Sequence, residues 1–85
     1  MSNEKIEELA EQLERRLMTF YQSPVLTGKD LQKAMGYRSL DALRQAISRK
    51  KIPIKVFKLP NRRGKFALVK DIALYLAEHS IDFEE

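Results

Sequence analysis

Apolar residues at Ile6, Leu9, Ala10, Leu13, Leu17, Phe20 and Tyr21 recur at steps of three and four, the spacing that lays one stripe along an α-helix. The spacing predicts a first helix from about Asn3 to Tyr21, with Ser2 or Asn3 as its N-cap. Glutamates crowd its start and Arg15 and Arg16 sit nearer its end, which suits the helix dipole. Gln22-Ser23-Pro24 breaks the pattern, and Val25-Leu26 suits a very short strand. Thr27 with Asp30 three residues on resembles a capping box, and Leu31, Ala34 and Met35 form the apolar face of a second helix that Gly36 stops. Tyr37 and Arg38 make the turn, and Ser39 caps a third helix. Leu40, Leu43, Ala46 and Ile47 line one face of that helix, and Asp41, Arg44, Gln45 and Ser48 line the other.

After Lys51 the period shortens to two. β-Branched and aromatic residues (Ile52, Ile54, Val56, Phe57) alternate with lysines (Lys55, Lys58), which predicts a strand over 52–59, with Pro53 at its start or on an edge. Pro60-Asn61-Arg62-Arg63-Gly64 is a turn-forming loop, and Lys65 to Val69 is the return strand. Asp71 to about His79 reads as a last helix, with Ile72, Ala73, Tyr75 and Leu76 turned to the core. Ile81 to Glu85 reads as a loose acidic tail. One domain is expected, divided into an N-terminal helix (1–21), a helix-turn-helix (25–49), a hairpin (52–69), a C-terminal helix (70–79) and a tail (80–85). The fold class is mainly α with a β-hairpin.

Charge changes the picture. The 85 residues carry a net charge of only +4, with a pI near 9.5, but the charge is unevenly spread. Residues 1–14 hold a net −4 and residues 71–85 a net −5. Between them, residues 29–70 set thirteen bases against Asp30 and Asp41, a net +11. A basic centre between acidic ends points to a polyanion as partner. Two short helices around a tight turn, followed by a basic hairpin and a helix, are the element order of a winged helix-turn-helix. An α-helix fits the major groove of B-DNA, a supporting helix holds it rigid, and hairpin cations neutralise nearby phosphates.

Residues 25–77 resemble the MerR-like winged helix of small excisionase-type and phage-type regulators, and are similar to the pyocin-activator family. The features that carry the likeness are Leu26-Thr27, Gly36-Tyr37-Arg38-Ser39, Ala46-Ile47-Ser48-Arg49, Ile52-Pro53-Ile54 and Leu68-Val69-Lys70-Asp71-Ile72-Ala73. The resemblance implies a bacterial or phage DNA-binding protein of a mobile element, acting in transcription control or in recombination directionality. The long acidic first helix departs from many such proteins.

The candidate base contacts are Arg44, Gln45, Asp41 and Ser48, the open face of the third helix; Arg suits guanine and Gln suits adenine. A solvated surface is the plainer reading of all four, and Asp41 also complements the helix N-terminus. The candidate phosphate contacts are Arg38, Ser39, Arg49, Lys50 and Lys51 around the helix, and Arg62, Arg63 and Lys65 at the hairpin tip. Lys55 and Lys58 suit the guarding of a sheet edge, and Phe57 and Phe66 suit the core. Tyr37 suits half-burial in the turn as well as a DNA contact.

Other chemistries find no support in the residues. With no Cys and one His (His79), neither disulfide nor metal site is expected. No phosphate-cradling glycine loop, nucleophile elbow or triad is present, so no enzyme activity, cofactor or small-molecule ligand is expected. No apolar run approaches the roughly 20 residues of a membrane span, and the charged N-terminus lacks a signal core. A cytoplasmic, nucleoid-associated protein with double-stranded DNA as partner is expected. The stripe Ile6, Ala10, Leu13, Leu17, Phe20 suits either packing within the chain or a homodimer. The rival reading is a protein–protein interaction module that uses the basic face and the first helix.

Overall fold

A computed structural model describes the backbone from Ser2 to Phe83 and the side chains from Glu4 to Ser80. The chain is mainly helical, with one small antiparallel sheet. In order the elements are α1 (Ser2–Tyr21), β1 (Val25–Thr27), α2 (Gly28–Met35), α3 (Leu40–Ser48), β2 (Phe66–Leu68) and α4 (Val69–Phe83). α1 already includes Ser2 and Asn3, the two expected caps, whose side chains lie outside the described set.

The core is built where apolar faces of separate elements meet. Leu26, Leu31, Leu43, Ala67, Val69 and Ile72 form one buried cluster, one or two residues from each of five elements. Leu17 and Tyr21 bring the end of α1 against it. α1 packs most extensively along α4, so its stripe is used within the chain. Phe20 leaves that stripe: its ring is 77% exposed and meets Tyr21 edge-on, with centroids 4.8 Å apart. One position is a rotation of about 100° on a helix, so Tyr21 takes the core side and Phe20 the solvent side.

The helix ends follow local rules. Gly36 sits at φ 84 after α2. Its N–H donates to the Lys33 carbonyl, and the Tyr37 N–H donates to that of Gln32. This is a Schellman ending, with glycine where a left-handed residue is needed. α3 ends the same way: Lys50 stands at φ 56, its N–H donates to Ile47, and the Lys51 N–H donates to Ala46. The start of α3 is capped as its sequence implies, with the Ser39 hydroxyl accepting from the Ala42 N–H at 3.0 Å.

Three local expectations are corrected. Thr27 precedes α2 in extended conformation, but its side chain makes no cap bond, so there is no capping box with Asp30. Its hydroxyl instead donates to the Lys65 carbonyl at 2.6 Å, 38 positions away. Residues 52–59 do not form a strand. Only Phe57 pairs, exchanging two backbone hydrogen bonds with Phe66 at 2.9 and 2.8 Å. The alternation itself survives as half-buried Ile52, Ile54 and Val56 between exposed Pro53 and Lys55. What is missing is a partner: one edge of β2 is taken by β1, and the chain turns into α4 at Val69. The hairpin is therefore one bridge closing the loop 58–65. Finally, α4 continues to Phe83, so Ile81, Asp82 and Phe83 are helical rather than tail. Glu84 and Glu85 lie outside the described residues.

Leu31 is fully buried at the meeting point of these elements. Leu31→Ala is expected to lower the unfolding free energy by about 2–5 kcal/mol in chemical denaturation, as large-to-small core changes do. A loss under about 1 kcal/mol would mean that the core is not centred there.

Candidate nucleic-acid interface

α3 owes its exposure to its shape and neighbours. Leu43 is its one fully buried residue, and Leu40 and Ile47 lean on the same core. Asp41, Arg44, Gln45 and Ser48 are all exposed, as their spacing implies. The turn before α3 is braced from α2: the Gln32 side-chain amide donates to the Tyr37 carbonyl at 2.9 Å. Tyr37 is half-buried there, and burial first, with the neighbouring Tyr75 phenol adding to it, raises its hydroxyl above the ordinary phenol value of 10.0. The phenol thus stays neutral and can donate across the whole physiological range.

β1 and β2 bring the loop 58–65 to α3. Val25 pairs with Leu68, Leu26 with Ala67 and Thr27 with Phe66. The Thr27 hydroxyl then fixes the backbone just beyond β2, at Lys65. The result is an open concavity of about 650 Å³ between α3 and the loop. Arg44 and Ser48 stand on its α3 side, Arg63, Gly64 and Lys65 on its loop side, and Thr27 and Gly28 at its base. A second, smaller concavity of about 300 Å³ lies on the other flank of α3, lined by Tyr37, Gln45, Arg49 and Lys51 among others.

The twelve residues singled out in the sequence are thus divided by the fold. Arg44, Ser48, Arg63 and Lys65 share one concavity, and Gln45, Arg49 and Lys51 share the other. Asp41 lies in neither, nor do Arg38, Ser39, Lys50 and Arg62, although all five are exposed. Thr27 and Gly28 belong to the site and were not legible as such. Thr27 looks like a local cap, and no nearby residue signals a bond 38 positions away.

Electrostatically the face is one-sided. Among the described residues there is a single salt bridge, Arg44 to Asp41 at 3.7 Å. Its side chains are 72% and 85% exposed, so water and salt leave it worth little. No charged side chain is buried among the described residues. Among the described residues the other cations of the basic centre have no acid within salt-bridge range. Among the described residues no three His, Asp or Glu side chains cluster as metal ligands would. No described helix is long and apolar enough to cross a membrane.

Comparison with family models, with curated proteins and with solved structures finds no match to this chain.

Thr27→Val keeps the shape of the residue and removes the bond to Lys65. It is expected to cost about 0.5–1.5 kcal/mol of stability and to speed amide exchange at Arg62–Lys65 while α2 and α3 keep their protection. Unchanged exchange in that loop would show that the hydroxyl does not hold it.

Proposed function

We propose that this chain binds double-stranded DNA in a sequence-specific way, as a winged helix-turn-helix. In this reading α2 and α3 are the helix pair, α3 lies in the major groove with its exposed face toward base edges, and the loop 58–65 is a short wing. The observation that carries the reading is the set of cations, without a salt-bridge partner among the described residues, on both flanks of an exposed helix: Arg63 and Lys65 on one side, Arg49 and Lys51 on the other. A net +11 over residues 29–70 supports it, because phosphate neutralisation drives such binding. The acidic segments belong mainly to α1 and α4, which pack on each other and leave α3 unobstructed.

The likeness to excisionase-type and phage-type regulators suggests the use: transcription control, or control of recombination direction, in a phage, plasmid or integrated element, at the nucleoid. A module of this size reads a short site, so two or more copies on adjacent sites are part of the proposal.

Affinity for duplex DNA is expected to fall steeply with salt, with a log–log slope of about −0.9 per phosphate contacted. Arg63→Ala should weaken binding to all sequences alike and make that slope shallower by about one contact. Electrophoretic shift or fluorescence anisotropy across a salt series reads both. Absence of duplex binding at low salt, or binding indifferent to salt, would refute the proposal.

A further inference from the structure

The two concavities beside α3 do not share a single lining residue. At 3.6 residues per turn, Arg44 points about 60° to one side of Asp41, and Arg49 about 80° to the other. Between them, Asp41 marks the crest of the helix, with Gln45 about 40° away on the Arg49 side and Ser48 about 20° away on the Arg44 side. An α-helix with its side chains is about 10–12 Å across, close to the roughly 12 Å width of the B-DNA major groove. A helix seated there meets a sugar–phosphate rim on each flank and base edges only along its crest. A guanidinium already leaning into a trough with two other cations is aimed at a rim.

We propose that α3 lies between two backbone seats, Arg44 with Arg63 and Lys65 holding one strand and Arg49 with Lys51 holding the other, so that base selection falls to Asp41 at the crest and to Ser48 and Gln45 beside it, within about 40°, rather than to Arg44. The chemistry of the crest fits this division. Gln45 offers the donor and acceptor pair that matches adenine, and the Asp41 carboxylate accepts from the cytosine amino group. Asp41 also holds Arg44 at 3.7 Å through an exposed, weak pair. A phosphate in the trough competes for that guanidinium and frees the carboxylate for a base. The inference rests on the duplex-binding reading and assigns residues within it.

The test uses the full chain on a duplex obtained by binding-site selection. Single phosphates on each strand are replaced in turn by neutral methylphosphonates, and binding is measured for the unaltered protein, Arg44→Ala, Arg49→Ala and Gln45→Ala. All three side chains are exposed, so the variants keep the core. The unaltered protein should lose roughly threefold to tenfold in affinity at a few phosphates on each strand. In Arg44→Ala those on one strand should fall silent, and in Arg49→Ala those on the other. Repeating the site selection should give an unchanged preferred sequence for Arg44→Ala and a changed one for Gln45→Ala. The inference is overturned if Arg44→Ala alters base preference while every phosphate effect persists, or if both arginine variants silence the same strand. Failure of the unaltered protein to bind any duplex would instead overturn the duplex reading itself, before any phosphate is replaced.

Discussion

The antiparallel register of Val25–Thr27 on Phe66–Leu68 is the constraint from which the rest follows. It joins segments about forty positions apart and seats Leu26 and Ala67, both buried, opposite each other in the core. A slip of one residue would keep one of them on the core face and turn the other outward, so the register is strongly specified. The Pro24 carbonyl accepts from the Val69 N–H at 2.8 Å, which extends the join into the first turn of α4. Thr27 to Lys65 extends it at the other end, toward the loop. The same short sheet thereby sets α1 beside α4 and the loop beside α3.

That arrangement separates the chain into two electrostatic halves. The acids of α1 and α4 travel together because those helices pack on each other, and the bases of α2, α3 and the loop travel together because the sheet closes them up. A net +4 spread evenly would do little; the fold converts it into a face. With one weak, exposed ion pair among the described residues, the electrostatic cost of gathering these cations is not met within the protein. A polyanion would meet it, by Coulomb attraction and release of its counterions.

Local signals made much of this legible. α1, α2 and α3 follow from helical periodicity. The ends of α2 and α3 follow from Gly36 and Ser39, because caps depend on residues within one turn. The exposed face of α3 follows from the same period. What was hidden depends on distant partners. The alternation at 52–59 reports burial correctly, but a strand also needs an edge to pair with, and β2 is too short to offer one beyond Phe57. Thr27 has the chemistry of a cap and a hydroxyl that the fold sends elsewhere. The split of Arg44 from Gln45 into separate concavities needs the loop position, which no window of sequence contains.

The central claim is that the sheet register builds a duplex-binding face from α3 and the loop. Amide chemical-shift mapping during titration with a short DNA duplex tests it most directly. The account predicts shifts concentrated at Arg44, Gln45, Ser48, Arg49, Lys51 and Arg63–Lys65, with the exposed acids of α1 silent. Shifts centred on α1 and α4, or none at low salt, would contradict it.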